Sequence, residues 1–194
     1  MISTHDFLKI INSNNLQIDE CSAQEILALL KFQYRAYKRN HPDNSRQNNQ
    51  RKYYHPSTRE DPHNLWAFKC KIDGANSGPL KGKNFSLKSN IFLSDIPLEI
   101  GLPSIDNYIP NFDAPFVTQI LSHGATILGK SNCEAFCLSG GSHTCSNGLI
   151  HNPYKRGFTS GGSSSGCASL VARKIVDISI GSDQCGSSRL PASY

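Results

Sequence analysis

Two serines in separate glycine-rich loops, Ser163 and Ser187, are the residues whose types and spacing point most directly to chemistry. A serine hydrolase normally activates its nucleophile with a neighbouring base, which is usually a histidine. No histidine follows His151 in the sequence, so a nucleophilic serine in this region needs another proton acceptor. Lysine is the obvious candidate for this base.

A competing interpretation makes Ser164 the nucleophile, because Gly162 to Gly166 satisfies the Gly-x-Ser-x-Gly pattern of the α/β-hydrolase elbow. That pattern requires a strand directly before it, and an Asp and then a His after it. Residues 152–160 form a polar segment that contains proline and glycine, and no histidine follows the motif. Because both requirements fail, we do not favour the elbow.

Two binding interpretations also compete for these segments. A phosphate-binding loop would end in Gly-Lys-Ser or Gly-Lys-Thr, but here Cys167 follows Gly166. A metal site could use a group of closely spaced side chains, since cysteine and histidine are common zinc ligands. The four candidate ligands are Cys133, Cys137, His143 and Cys145. Free cysteines are more often small buried hydrophobic residues, which is the interpretation we favour.

The elements that must position these residues begin with a helical segment over residues 1–41. Ser22 and Glu25 form a capping box, and apolar residues then repeat at helical spacing. These apolar residues are Ile26, Leu29, Leu30, Tyr34 and Tyr37. We expect one amphipathic helix that runs to about Arg39. Residues 40–64 are polar and contain several prolines, which favours a surface connection.

The middle of the chain has strand and helix patterns in succession. Residues 84–88 alternate apolar and polar side chains, which predicts a strand. A helix is predicted to begin with Asp113 as its cap and to end at Gly124. Its apolar positions are Val117, Ile120 and Leu121. Residues 125–128 are predicted to form the strand that follows.

The last part of the chain repeats this alternation. A helix is predicted over residues 166–173, directly after the glycine- and serine-rich loop. A β-branched segment over 175–180 then predicts a strand that ends in a glycine-rich turn. Strands that alternate with helices predict an α/β sheet.

Composition is compatible with one domain that has a substantial core, because the chain has 194 residues. Its seven cysteines are an odd number and no signal peptide is recognisable, so we expect a reducing, cytoplasmic setting. No apolar run is long enough for a membrane helix. The net charge of +5 owes much to basic residues between Lys31 and Lys52, which we interpret as a solvated surface rather than a nucleic-acid site.

Four segments in the same order resemble the amidase signature family. They are residues 78–90, 124–136, 161–166 and 181–192. The resemblance covers about Asn64 to Tyr194 and implies an α/β fold with a mixed sheet flanked by helices, preceded by a helical arm. Residues 137–144, together with Asp183 and Gln184, are most similar to bacterial amidases that act on small or aryl amides.

The resemblance implies a Ser–cis-Ser–Lys triad, with Ser187 as nucleophile, Ser163 as the bridging serine in a cis peptide, and Lys88 as base. The residues themselves favour the same trio. A lysine acts as a base only when it is neutral, and burial disfavours the charged form. Lys88 has apolar neighbours in the sequence, whereas Lys81 and Lys83 are expected to be solvated.

The resemblance also assigns supporting roles around the triad. Backbone N–H groups of Gln184, Cys185, Gly186 and Ser187 are expected to bind the oxyanion. Substrate contacts are expected at Ser139, Gly140 and Gly141, and structural support at Asp183, Arg189 and Ser164. The chain departs from the family's usual residues at Ser89 in place of aspartate, Cys185 in place of glycine and Ser188 in place of isoleucine.

The function expected from this resemblance is hydrolysis of a carboxylic amide to an acid plus ammonia or an amine, through an acyl-enzyme. Two alternatives stay open, a non-catalytic remnant or binding module with the same fold, and a protein like the A subunit of an amidotransferase. We expect residues 1–63 to form an arm and linker, and 64–194 to be the N-terminal part of an amidase domain that is truncated after the nucleophile loop.

The expected substrate is a small amide, with no cofactor, no metal, no nucleic acid and no membrane involved. The full-length form is a candidate homodimer.

Overall fold

The computed structural model describes residues 3–14, 18–40, 51–102 and 108–194, and for 33–40 the backbone alone. It divides into two compact units, Met1–Ser45 and Arg46–Tyr194. No helix within the described ranges is both long and apolar enough to cross a lipid bilayer.

The first unit contains two helices, α1 over Thr4–Ser13 and α2 over Glu20–Asn40. The backbone N–H of Ser22 donates to the Asp19 carboxylate at 2.9 Å. Asp19 therefore caps α2, and the predicted capping box at Ser22 is wrong because Ser22 lies inside the helix. Of the predicted apolar positions, Ile26, Leu29 and Leu30 are exposed in this structure. The side chains of Tyr34 and Tyr37 lie outside the described residues.

The second unit is built on a mixed sheet of five strands in the order β1-β2-β4-β3-β5. The strands are β1 Tyr53–Tyr54, β2 Trp66–Asp73, β3 Asn84–Lys88, β4 Thr126–Ser131 and β5 Ile178–Ile180. β1 and β4 pair with β2 in antiparallel fashion. β4 and β5 pair with β3 in parallel fashion. The α/β fold with a mixed sheet that the sequence predicts is therefore confirmed.

The predicted strand at β3 is confirmed, whereas β2 was not predicted at all. Trp66, Phe68, Cys70 and Ile72 alternate with other residues along β2, so a period-two signal was present in the sequence. The segment 40–64 was predicted to be a surface connection. Residues 41–50 lie outside the described part, and Tyr53–Tyr54 form a short strand on β2, which corrects the prediction there.

The helix predicted after Asp113 is α3, over Pro115–Ser122, and its N-cap residue is Ala114. Asp113 does not cap it, because its carboxylate accepts from the guanidinium of Arg51 at 2.8 Å and from the Ser94 N–H at 2.8 Å. This distant pairing explains why the predicted cap is wrong.

The remaining helices flank the glycine- and serine-rich loops. The predicted helix at 166–173 is α4, over Ser165–Ala172, and a short helix, α5, covers Arg189–Ala192. A single 3₁₀ turn covers Ala135–Cys137. The last strand begins at Ile178 rather than at 175, because a turn that includes Lys174 at φ 57° precedes it.

The sheet's hydrogen-bond register decides which loops meet. Leu87 of β3 lies opposite Ile180 of the parallel strand β5. The carboxyl ends of the two strands therefore meet at the same edge of the sheet, with Lys88 as the last residue of β3 and Gly181 as the first residue after β5. Apolar side chains on both faces of the sheet hold this edge in place, and they include Phe68, Phe85, Leu87, Val117, Ile127, Leu65, Trp66, Ile150 and Leu170.

Candidate active site

Lys88, the last residue of β3, lies at this edge with no exposed surface. Its Nζ donates to Ser163 Oγ at 2.8 Å and to Ser182 Oγ at 2.9 Å. A buried lysine is stable only where polar partners satisfy its donors. The base and the bridging serine predicted from the sequence are therefore in direct contact.

Ser163 follows a cis peptide bond with Gly162 and is fully buried. Its hydroxyl accepts from Lys88 and donates to the Cys137 carbonyl at 2.7 Å. A Cβ on Gly162 would lie 2.1 Å from the Gly141 carbonyl oxygen and 2.4 Å from that of Ser139. Only glycine fits at residue 162, because the backbone of 139–141 packs directly on it.

Ser187 lies in the loop between β5 and α5 and is 9% exposed. Its carbonyl oxygen accepts from the Ser164 N–H at 3.0 Å, which joins the loop of Ser187 to the loop of Ser163. Among the described residues, no hydrogen bond joins the Ser187 hydroxyl to the Ser163 hydroxyl, whose proton goes to Cys137 instead. The structure thus brings the two loops together through their backbones.

The turn before Ser187 offers backbone donors. The Gly186 N–H donates to Asp183 Oδ1 at 2.7 Å. Within the described part of the chain, the N–H groups of Gln184, Cys185 and Ser187 have no hydrogen-bond partner. Gly186 has a φ of +114°, which favours glycine, whereas Cys185 does not take a positive φ. A side chain at position 185 is therefore compatible with this turn.

The Asp183 carboxylate holds the turn before Ser187 through several hydrogen bonds. Besides the Gly186 N–H, its carboxylate accepts from the N–H groups of Ser188 and Arg189 and from the Arg189 guanidinium. These bonds, that of the Arg189 side chain first, hold the pKa of Asp183 below its usual range. The Arg189 side chain is 77% exposed, so the backbone contacts matter more than the ion pair.

Ser164 links the two loops rather than presenting a free hydroxyl. It is 1% exposed, and its Oγ donates to the Ser182 carbonyl at 3.3 Å and accepts from the Ser182 N–H at 3.4 Å. A loop and not a strand precedes it. This geometry favours a supporting position for Ser164 and does not favour the nucleophile elbow.

Ser139, Gly140 and Gly141 lie beside the same loops. The Ser139 hydroxyl accepts from the Gly141 N–H at 3.1 Å. A Cβ built on Gly140 would lie 3.5 Å from Leu190 Cδ1, so this segment adjoins α5. The predicted substrate segment and the nucleophile loop therefore line one region of the surface.

Ser182 is a polar contact of Lys88 that the sequence interpretation missed. Its hydroxyl accepts from Lys88 Nζ and from Asn90 Nδ2, the latter at 3.2 Å. A signal was present, because Ser182 follows Gly181 at the carboxyl end of a strand predicted to lie in the sheet. Ser182 and Asn90 together fix where Lys88 Nζ points.

Replacing Ser182 with alanine is expected to slow the reaction of Ser187 with an acylating probe about tenfold, the equivalent of one net hydrogen bond. Ser182→Thr keeps the hydroxyl and is expected to restore most of the rate. The measurement is the second-order rate of covalent labelling, with thermal unfolding of both variants as the control. Equal rates in Ser182→Ala and the parent chain would contradict a positioning contact.

Ser89, which stands where the family has aspartate, does not place a charge beside the base. Its side chain is fully buried, and its hydroxyl lies 3.2 Å from Cys133 Sγ. Its backbone N–H donates to the Ser131 carbonyl. Ser89 thus connects the end of β3 to the segment after β4.

Glu134 is a second residue that the sequence interpretation missed. Its buried carboxylate accepts from the N–H groups of His143 and Thr144, from Thr144 Oγ1 and from Ser165 Oγ, at 2.7 to 3.1 Å. Its own N–H donates to the Ser163 carbonyl at 3.1 Å. Glu134 therefore ties the 139–144 loop and the start of α4 to the bridging serine.

The four candidate metal ligands do not form a metal-binding cluster. Two of them are in contact, since the sulfur atoms of Cys133 and Cys137 are 3.7 Å apart. In the described ranges, no three His, Cys, Asp or Glu side chains come close enough to hold a metal ion.

Much of this chain is similar to proteins of one known family. Residues 61–194 match the family described as Amidase. An enantioselective amidase of Rhodococcus rhodochrous is 36% identical over 138 residues, which are 70% of this chain and 27% of that protein. The A subunit of the glutamyl-tRNA(Gln) amidotransferase of Haloarcula marismortui is 38% identical over 63% of this chain and 29% of its own length.

Solved structures give a consistent picture. The A subunit of the glutamyl-tRNA(Gln) amidotransferase of Thermotoga maritima superposes with a TM-score of 0.61 and 28% identity, covering 69% of this chain and 30% of that one. The peptide amidase of Stenotrophomonas maltophilia gives a TM-score of 0.56 and 32% identity, covering 59% and 24%. This chain spans less than a third of the length of each of these four relatives. Because the family match includes more than half of its residues, the chain belongs to the amidase signature family.

Proposed function

We propose that the residues around Lys88 catalyse hydrolysis of a carboxylic amide through an acyl-enzyme on Ser187. The observation that carries the proposal is the contact of Lys88 Nζ with Ser163 Oγ, at 2.8 Å in a fully buried position. The backbone bond between Ser164 and Ser187 brings the nucleophile's loop to the same place. These two contacts support a lysine-activated serine, because they bring the base, the bridging serine and the nucleophile's loop together.

The proton is expected to travel from Ser187 to Ser163 and from Ser163 to Lys88. Neutral Lys88 accepts the Ser163 proton while Ser163 accepts the proton of Ser187. In the resting arrangement the Ser163 hydroxyl donates to the Cys137 carbonyl, so it must turn towards Lys88 Nζ before it can relay the proton. Ser187 Oγ then attacks the amide carbon, and the tetrahedral intermediate expels ammonia or an amine that takes up the relayed proton.

The oxyanion of that intermediate is expected to bind the free N–H groups of Gln184, Cys185 and Ser187. The Gly186 N–H contributes only if it leaves Asp183. Preorganised donors of this kind typically contribute about 2.7–4 kcal/mol to transition-state stabilisation. Water then hydrolyses the acyl-enzyme by the same proton route, which regenerates Ser187. Asp183 and Arg189 hold the turn and take no part in the chemistry.

A protein like the A subunit of an amidotransferase is the second candidate function. The observation that favours it is the set of relatives with that name, one of which is 38% identical over 63% of this chain. Formation of the same acyl-enzyme would then release ammonia for transfer to a second substrate instead of losing it to solvent. The pair Asp183-Gln184 and the arm of residues 1–63 favour the stand-alone amidase, with 64–194 as the amidase part.

The proposal of a stand-alone amidase also includes a small amide as substrate, a homodimer of the full-length form and a cytoplasmic setting.

Labelling with a fluorophosphonate probe tests the proposal, because such a probe phosphonylates an activated serine with loss of fluoride. The parent chain is expected to label. The Ser187→Ala variant is expected to lose the label, and the matched Ser164→Ala variant is expected to keep it. A folded parent chain that does not label would favour the non-catalytic alternative, and loss of label only in Ser164→Ala would favour the elbow.

A further inference from the structure

Two thiols lie in contact immediately beside the candidate active site. Cys133 Sγ and Cys137 Sγ are 3.7 Å apart, at the two ends of the segment that contains the 3₁₀ turn. Phe136 and Cys137 both take positive φ in this turn, which folds the chain back so that the two sulfur atoms meet. All seven cysteines are free, and this pair is the only thiol–thiol contact among the described residues.

The two thiols of the pair differ in character. Cys133 is fully buried, whereas Cys137 is partly exposed. The hydrogen bond from Cys133 lowers the pKa of Cys137 to about 7 and raises that of Cys133. The more isolated thiols of Cys70 and Cys145 have their pKa values raised by burial, to about 12 and 11. Cys137 is therefore the more reactive thiol of the pair. Cys133 lies where a second thiol can attack an oxidised Cys137 and form a disulfide with it.

We propose that Cys133 and Cys137 form a redox-active pair that hydrogen peroxide converts to a disulfide. The Cys137 thiolate attacks one peroxide oxygen, the O–O bond breaks, and the products are a sulfenic acid and hydroxide, which takes up a proton to give water. The Cys133 sulfur then attacks the Cys137 sulfur. The S–O bond breaks, and the leaving hydroxide takes the Cys133 proton to form a second water. Two thiols are oxidised and one peroxide is reduced.

Disulfide formation would change the contacts of the proton relay. A disulfide holds its sulfur atoms about 2.05 Å apart, so the segment of Cys133 and Cys137 must tighten from the present 3.7 Å. The Cys137 carbonyl accepts from Ser163 Oγ, and Cys133 Sγ lies 3.2 Å from Ser89 Oγ, next to Lys88. Oxidation is therefore expected to shift the groups that hold the relay. This consequence for Ser187 rests on the proposed function, whereas the disulfide itself does not.

The disulfide is tested by treating the reduced full chain with hydrogen peroxide, alkylating the remaining thiols with iodoacetamide, and mapping peptides by mass spectrometry. Trypsin leaves Cys133, Cys137 and Cys145 in one peptide, residues 131–155. Cleavage after Glu134 separates the two members of the pair. The expected result is joint loss of alkylation at Cys133 and Cys137, with their fragments joined until a reductant is added. Cys145, in the same peptide, is expected to stay alkylated.

Two variants of the pair and one control variant keep the test decisive. Cys137→Ser is expected to abolish the linked fragments, and Cys133→Ser is expected to leave a sulfenic acid on Cys137. The matched control Cys145→Ser is expected to change nothing. The proposal is overturned if peroxide oxidises Cys21 and Cys185 while Cys133 and Cys137 remain alkylated, or if Cys137 links to Cys145 instead.

Fluorophosphonate labelling of Ser187 reports the consequence separately. Labelling of the parent chain is expected to fall on oxidation and to recover with dithiothreitol, while labelling of Cys133→Ser, which cannot form the disulfide, is expected not to fall on oxidation. If the reduced parent chain never labels, the proposed hydrolase function fails, but the peptide map still decides on the disulfide. Unchanged labelling of an oxidised, linked chain would overturn the coupling to the relay.

Discussion

The Lys88→Met variant is expected to react with an acylating probe about 10²–10⁴-fold more slowly than the parent chain, the range that a positioned general base contributes. Methionine can fill much of the buried space of the lysine stem, but it cannot accept the Ser163 proton. Lys88 is fully buried, and its described polar contacts are the hydroxyls of Ser163 and Ser182. The loss should therefore come from proton transfer and not from the loss of packing.

The rate of covalent labelling at fixed probe concentration measures this effect. Lys81→Met is the matched control, because Lys81 is exposed and is expected to leave the rate unchanged. Thermal unfolding of both variants separates chemistry from folding. A Lys88→Met variant that folds and reacts at the parent rate would rule out Lys88 as the base.

Removing the Glu134 carboxylate is expected to produce the largest loss of stability. In Glu134→Ala, the N–H groups of His143 and Thr144 and the hydroxyls of Thr144 and Ser165 lose their acceptor. His143 is exposed, so the cost comes chiefly from Thr144 and Ser165. A donor left unsatisfied away from water costs about 1–3 kcal/mol, so these two residues give a decrease in the free energy of unfolding of about 3 kcal/mol. The midpoint of urea unfolding should fall, with little change in its slope.

The Glu134→Gln variant is the matched control for this prediction. Its carbonyl oxygen can take the place of Oε2 and accept from His143 and Thr144, and its amide N–H can donate to the Ser165 hydroxyl. Stability is therefore expected to stay close to that of the parent chain. If Gln and Ala destabilise the chain equally, the negative charge matters more than the hydrogen-bond pattern. If neither does, Glu134 does not hold these segments.

The parts of the site that the sequence predicts are those with local signals. The alternating pattern of residues 84–88 identifies the strand that carries Lys88, and glycine-rich motifs identify the loops of Ser163 and Ser187. The parallel pairing of β3 with β5 then brings base and nucleophile loop to one edge. A period-two pattern predicts a strand because successive side chains of a strand point to opposite faces of the sheet. Glycine-rich motifs predict loops because glycine adopts backbone conformations that other residues avoid.

The parts that it misses depend on contacts between distant residues. Glu134 is an ordinary acidic residue in the sequence, and only folding brings Thr144 and Ser165 to its carboxylate. Asp113 has the sequence of a helix cap, but Arg51, 62 residues away, takes its carboxylate. Local patterns cannot distinguish these cases, because the competing partner is not near in the chain.

Peptide mapping of the acyl-enzyme tests the central claim most directly. The chain is incubated with a p-nitrophenyl ester, quenched in acid and digested with trypsin, and tandem mass spectrometry locates the added acyl group. The account predicts an acyl group on Ser187, within residues 175–189, that is absent in Lys88→Met. An acyl group on Ser163 or Ser164, within residues 157–173, or acylation of Ser187 that is unchanged in Lys88→Met, would contradict it.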